Sequence, residues 1–330
     1  MMKKVQIRKR GKKIMQIIGI LFAVVVVIQV GILLIGFVVH PVLSKGELEN
    51  IDVYGQMVDV DGRQMHVYSL GDGEETVVLL PGFGVALPSA DFGPLMRELS
   101  AKYTVVTVEY FGVGFSDQTD TPRTNANYVE ETRAALAGAG FAPPYILMPH
   151  SASGIYSEYY AHHYPDEITA IIMLDTTSTA DIPKAPPAII YSLARLQGRA
   201  GVNRVNTRLL RETKLLANGY TENEISDHRI YSYHVINDTM IDQMRRLGDT
   251  ISEVHTLDFP DSVPVLKLIS TETVRNMAKQ NKDDGMGYQH EHLQRLGSQA
   301  TYEVLDASHL MYQTRAREIA EISADFIDSL

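Results

Sequence analysis

The 330-residue sequence contains no cysteine, which removes disulfides, thiolate metal sites and cysteine nucleophiles together. Compartment stays open, because a cysteine-free chain tolerates oxidising and reducing surroundings alike. Internal repeats and low-complexity tracts are also missing. Positive charge is scarce over most of the length. Seven Lys and Arg fall in residues 1–13, leaving 23 basic against 40 acidic residues and a formal charge of −17. A body so poor in cations has little to offer a phosphate backbone, so nucleic acid is not expected as a partner. Metal-ligand spacing is wanting too. His162 and His163 are adjacent on an expected helix and point apart, and His290 and His292 lack the i, i+4 spacing of a helical zinc pair. They read as surface residues, and no metal is expected. Gly82-Phe83-Gly84 has Leu87 where the third glycine of a dinucleotide fingerprint would stand, which argues against a nicotinamide enzyme.

What is present begins with a membrane signal. From Ile14 to Ser44 there is no Asp, Glu, Lys or Arg. A transmembrane helix needs about 20 apolar residues to cross a hydrocarbon layer of about 30 Å. In lipid the β-branched run from Val24 to Ile28 still forms a helix, because backbone groups there must pair within the segment. Residues 14–43 are therefore expected to span a membrane as a single pass. The basic tail 1–13 should stay in the cytoplasm and the C-terminal body outside. A cleaved signal peptide is the alternative. The apolar run is longer than a typical h-region, and no small-x-small site precedes Lys45.

Beyond the span, β-rich and helical stretches alternate. Strands are expected at 51–60 and 64–69, joined by Asp61-Gly62, then at 76–80, 103–109, 145–148, 170–174, 263–269 and 301–304. Helices are expected at 125–139, 153–163 and 316–327. This rhythm implies an α/β fold, with a mainly parallel central sheet covered by helices on both faces. One interval departs from it. Residues 178–262 carry only helical patterns, near 187–198, 203–217, 222–234 and 238–254, with Thr221 and Glu224 at capping-box spacing. They read as a helical lid or cap inserted into a core of residues 46–177 and 263–330. Arg204, Arg208 and Arg211 fall on one face of this insertion, either solvated or facing anionic lipid headgroups or an acidic substrate.

The chemistry concentrates where a strand runs into Pro149-His150-Ser151-Ala152-Ser153-Gly154 and a helix follows at once. A sharp strand-to-helix turn lifts a serine oxygen above the sheet and needs small residues two before and two after it. Ser153 meets that demand, while Pro149 departs from the usual glycine and removes a backbone donor. Ser153 is a poorer nucleophile candidate, because Ile155 is too bulky for its own flank. With these residues, Pro81-Gly82-Phe83-Gly84, the 108–117 run VEYFGVGFSD and Asp306-Ala307-Ser308-His309 stand in order along the chain. Over about residues 51–330 the sequence resembles the α/β-hydrolase family, particularly its lid-bearing esterases and peptidases.

The resemblance implies a nucleophilic serine, an acid and a histidine in that chain order. Ser151 is the expected nucleophile, and His309, between the last strand and last helix, its general base. Glu272, just beyond the 263–269 strand, is the expected orienting acid, with Asp175 at the end of the 170–174 strand as the alternative. The N–H groups of Phe83 and Ala152 are expected to form the oxyanion hole, with Gly82 and Gly84 letting the loop approach closely. The expected reaction is hydrolysis of a carboxylic ester or related acyl bond through a Ser151 acyl-enzyme, on a small-molecule or lipid-like acyl substrate and without cofactor. A serine rather than aspartate nucleophile argues against epoxide hydrolysis and dehalogenation. Two other readings use the same residues: an amide hydrolase of aminopeptidase type, and a membrane-anchored binding protein that does not hydrolyse.

Overall fold

The continuous apolar runs form the middle of an eight-stranded sheet. The structure is a computed structural model that describes residues 2–206, 212–281 and 284–330. Its strands are β1 (Gln56–Val60), β2 (Arg63–Leu70), β3 (Thr76–Leu80), β4 (Thr104–Glu109), β5 (Tyr145–Pro149), β6 (Ile168–Leu174), β7 (Val265–Ser270) and β8 (Ala300–Leu305). They lie in the order β1-β2-β4-β3-β5-β6-β7-β8. The pairs β1–β2 and β2–β4 are antiparallel, and all later pairs are parallel. Asp61 and Gly62 both adopt positive φ, 53° and 79°, as a tight two-residue hairpin turn requires. The first strand begins at Gln56, five residues later than its apolar pattern suggests.

Side chains alternate across a strand, so a strand buried on both sides must be apolar throughout. Val78 and Leu80 of β3 pack with Tyr128, Leu147 and Ile155 on one face. Val77 and Leu79 pack with Leu95, Met96 and Ile319 on the other. The α-helices before β6 are α1 (Met2–Ser44), α2 (Pro88–Asp91), α3 (Gly93–Leu99), α4 (Asn125–Gly138) and α5 (Ser153–His163). Between β6 and β7 the described residues hold only helices: α6 (Ala188–Arg199), α7 (Asn203–Asn206), α8 (Glu212–Ala217), α9 (Glu222–Ser232) and α10 (Asp238–His255). After β7 come α11 (Thr271–Asn281) and α12 (Gly287–Leu296), and α13 (Tyr312–Asp328) follows β8. The short α2 and α3, and also α11 and α12, were not expected. Pro88 and Pro94 sit in the first turns of α2 and α3, where a missing N–H costs nothing.

Thr221 and Glu224 form the capping box that starts α9. The helices between β6 and β7 are tied to the sheet through the loop after β4. Thr239 Oγ1 accepts from Thr119 N–H and donates to the Thr119 carbonyl, both at 2.9 Å. Asn237 Nδ2 donates to the Gly112 carbonyl at 2.7 Å, and Asp242 accepts from Arg123 N–H at 2.9 Å.

Within α1, the segment Lys13–Ser44 is long and apolar enough to cross a membrane. Arg204 is neither solvated nor free. It makes two bonds to Glu47, at 2.8 and 2.6 Å, and others to His40 and Ser44 at 2.8 and 2.9 Å. That fastens the segment between β6 and β7 to the end of α1. Arg208 and Arg211 lie outside the described residues.

The buried Arg123 guanidinium meets Glu131 through two bonds of 2.8 and 2.7 Å. Removing one partner of such a pair strands a charge, at a cost of about 3–5 kcal/mol. Arg123→Met should lower the urea midpoint of the full chain accordingly, and adding Glu131→Leu should restore most of the loss. A single variant as stable as the parent would contradict the pairing.

Candidate active site

Five parallel strands, β3, β5, β6, β7 and β8, deliver their C-terminal ends to one rim, and each contributes to a single cluster. β5 ends at Pro149, whose partner on β3 is Leu80, and the next N–H, that of His150, donates to the Leu80 carbonyl at 2.9 Å. The sheet therefore accommodates a proline that lacks an N–H at this strand end. Ser151 follows with φ of 52°, a left-handed conformation that costs a non-glycine residue on the order of 1–3 kcal/mol. Its N–H donates to the Leu174 carbonyl at 3.1 Å, and its carbonyl accepts from Thr177 N–H at 3.0 Å. These bonds to the end of β6 hold the turn.

His309 Nε2 lies 3.0 Å from Ser151 Oγ, and His309 Nδ1 lies 2.7 Å from Asp175 Oδ2. The network assigns the tautomer: Nδ1–H donates to the carboxylate, and Nε2 accepts from the hydroxyl. The carboxylate on the imidazole is thus Asp175, not Glu272. Asp175 sits at the end of β6 with φ of 46°, and its side chain is buried. Ser270 N–H and hydroxyl reach it at 2.9 and 2.7 Å, and Thr273 hydroxyl at 2.6 Å. Burial alone would raise this carboxyl, but the bonds from His309, Ser270 and Thr273 outweigh it and hold the group below its ordinary range.

Glu272 takes a different position because α11 begins at Thr271, directly after β7. Its Oε2 accepts from the backbone N–H of His309 at 2.8 Å, and its own N–H donates to the Ala307 carbonyl at 3.2 Å. It braces the histidine loop and leaves the ring to Asp175. His150 braces the same loop from inside: its Nε2 donates to the His309 carbonyl at 3.1 Å. Burial, then the neighbouring His309 ring, lowers His150 to about 3, so it stays neutral.

Opposite the serine, Gly82 permits a close approach. A Cβ there would stand 2.8 Å from Ser151 Cβ and 2.6 Å from His150 Nδ1. Ser153, the other candidate nucleophile, is buried and donates to the Pro81 carbonyl, which pins the PGFG loop. Neither Phe83 N–H nor Ala152 N–H has a hydrogen-bond acceptor among the described residues. Two free donors near a serine oxygen, an imidazole and a carboxylate are the parts needed to deprotonate an alcohol and stabilise an oxyanion.

Two buried clusters were not recognised from the sequence. Glu109 ends β4 and accepts from Ser89 N–H and hydroxyl, at 3.0 and 2.7 Å, and from Phe115 N–H at 2.7 Å. It ties the loop after β4 to α2. His292 is not a surface residue: it is fully buried, with Nε2 at 2.8 Å from Glu158. Lys267 Nζ lies against its Nδ1. Glu158 also accepts from Thr179 at 2.6 Å, and Arg295 donates to Thr179 at 3.0 Å, which steadies the segment after Asp175. Burial, with Lys267 nearby, lowers His292 to about 4. Among the described residues no group of three or more His, Asp or Glu could hold a metal ion.

A sequence model of the alpha/beta hydrolase family matches residues 77–322. The chain is 37% identical to YbdG of Bacillus subtilis (strain 168) over 164 residues, 49% of each chain. It is 30% identical over 122 residues to the 2-(acetamidomethylene)succinate hydrolase of Mesorhizobium japonicum (strain LMG 29417 / CECT 9101 / MAFF 303099), covering 36% of this chain and 42% of that one. Each match thus spans about half or less of the relative's length. Among solved structures, Cfl2 of Burkholderia cenocepacia superposes with a TM-score of 0.64 at 17% identity, covering 82% of this chain and 94% of that one. At that identity the likeness concerns the fold alone.

The two neutral histidines set a pH dependence. Both folded values lie below the ordinary 6.5, so between pH 6.5 and the folded values the unfolded chain binds more protons. Stability is then full above that window and falls as pH drops through it, by up to about 1.4 kcal/mol per pH unit for each group. His150→Gln should flatten the slope of unfolding free energy against pH between about 4 and 6.5. An unchanged slope would show that His150 is not buried neutral.

Proposed function

The chain belongs to the alpha/beta hydrolase family, and from that premise we propose that it is a serine hydrolase cleaving a carboxylic ester or related acyl bond. The observation that carries the reading is the unbroken run of short contacts from Ser151 Oγ through the His309 ring to Asp175, 3.0 and 2.7 Å. His309 takes the Ser151 proton as the oxygen attacks the acyl carbon. Asp175 holds the ring in the required tautomer and stabilises the imidazolium that forms. Phe83 and Ala152 N–H groups receive the oxyanion, a stabilisation of about 3 kcal/mol for each such donor. The imidazolium then protonates the leaving group. Water, deprotonated by the same imidazole, releases the acid and restores the serine.

A cavity of about 300 Å³ lies between Leu215, Tyr220 and Ile225 and the core residue Leu310, and neither Ser151 nor His309 lines it. The helices between β6 and β7 act in this reading as a cap over the rim. We also read α1 as a retained single-pass anchor, with the basic tail in the cytoplasm and the hydrolase body outside, on the grounds of its length, apolarity and flanking charge.

A fluorophosphonate probe should label the full chain in detergent, and the label should vanish in Ser151→Ala. Absence of labelling in folded wild type would favour a binding protein. With an ester found by screening graded acyl chain lengths, His309→Ala should lose several orders of magnitude in kcat, and Ser151→Ala/His309→Ala little more. Asp175→Asn should lower kcat by roughly 10³–10⁴-fold, whereas Glu272→Gln should stay within about tenfold of wild type. The reverse ranking would return the acid role to Glu272.

A further inference from the structure

Helix α6 is amphipathic in the inverse sense for a soluble protein. Tyr191 is buried and Arg195 Nε donates to Asp238 at 2.7 Å, so one face packs on the start of α10. The opposite face carries Ile189, Leu193 and Leu196, which are 60%, 45% and 37% exposed. With Ala200 these follow at i, i+4, i+7 and i+11, one stripe down the helix. A solvent-facing stripe of large aliphatic side chains is the mark of a surface that meets another apolar phase.

The stripe runs into α1. Ala200 packs against Gly36 so closely that a Cβ on Gly36 would collide with the Ala200 carbonyl, and a Cβ on Gly201 would collide with the His40 ring. An apolar groove of about 310 Å³, lined by Ile32, Ile35 and Val39 of α1 and by Val202, continues the surface across the junction. The height of the junction follows from helix geometry. From Lys13 to Gly36 a helix rises about 35 Å at 1.5 Å per residue, against a hydrocarbon layer of about 30 Å. Gly36 therefore stands at the outer boundary of that layer when the Lys13 backbone sits about 5 Å outside the inner one, at headgroup depth. Lys184, ahead of α6, and Arg199, its last residue, are exposed cations of the kind that pair with headgroup phosphates.

We infer that α6 is an interfacial helix that lies on the outer leaflet with Ile189, Leu193 and Leu196 in the acyl region, giving the cap a second hold on the bilayer. The inference rests on the reading of α1 as a membrane-spanning segment and is independent of the proposed hydrolysis. The partner is lipid, because the stripe is continuous with a helix whose own apolar surface is made for lipid, and joins it at the depth where the acyl region begins.

The cysteine-free chain allows single-site labelling without background. Full-length Leu193→Cys, Val25→Cys and Asp166→Cys, each carrying an NBD fluorophore, would be placed in phosphatidylcholine–phosphatidylglycerol nanodiscs. Asp166 is exposed at the start of β6, the sheet end opposite the cap, and serves as the aqueous reference. The expected result is blue-shifted emission at Leu193, quenched by lipid-borne nitroxide near the headgroup and shielded from iodide. Val25 should be quenched by nitroxide deep in the acyl chain, and Asp166 by iodide alone. Deep quenching at Val25 with Leu193 open to iodide would overturn the inference and leave the anchor standing. Shielding of Leu193 from both quenchers, as under a second copy of the chain, would also overturn it. Lipid quenching at neither site would remove the premise together with the inference.

Discussion

One buried carboxylate organises the rim of the sheet. Asp175 accepts from the His309 ring, from Ser270 twice and from Thr273. These donors come from the junction of β7 with α11 and from the loop after β8, two stretches far apart in sequence. A charge taken out of water is tolerable only when donors replace its hydration, and here they also fix where each segment ends. The ring so oriented can face only one way, and Ser151 is what it faces. The left-handed backbone at Ser151 and at Asp175 is the conformational cost of aiming both side chains at one point.

Around this charge the fold supplies further braces. His150 and Glu272 hold the backbone of His309 at its carbonyl and its N–H, from opposite sides. Ser153 pins the loop that carries Phe83, and Gly82 leaves the space in which that loop passes the serine. Glu109 and the Glu158–His292–Lys267 cluster lie further back and fix the loops behind the rim. A rigid arrangement of this kind suits a site that must stabilise charge as it develops, since donors already in place need no reorganisation.

Much of this was legible in the sequence. Runs such as 76–80 and 145–148 read as buried strands, and Ser151, His309 and the PGFG loop follow from strand ends and turn chemistry together with the resemblance to the family. The acid was harder. Both Asp175 and Glu272 end parallel strands, and chain order permits either. The distinction lies in Ser270 and Thr273, whose hydroxyls converge on the end of β6, and in the start of α11 at Thr271, which turns Glu272 toward the His309 backbone. No periodicity reveals that convergence. His292 was misjudged for a related reason: α12 was not anticipated, so a histidine between Glu291 and Leu293 looked exposed, whereas its partners come from α5 and β7. The stripe on α6 lies in a stretch read only as helical, and it is the neighbouring helix α1 that says what it faces.

The relay itself is open to direct observation by proton NMR of the full chain in detergent micelles. A far-downfield imidazole Nδ1 proton is expected in the parent, retained in Glu272→Gln and lost in Asp175→Asn. Its survival in Asp175→Asn, or its loss in Glu272→Gln, would contradict the assignment of Asp175 as the carboxylate that holds His309.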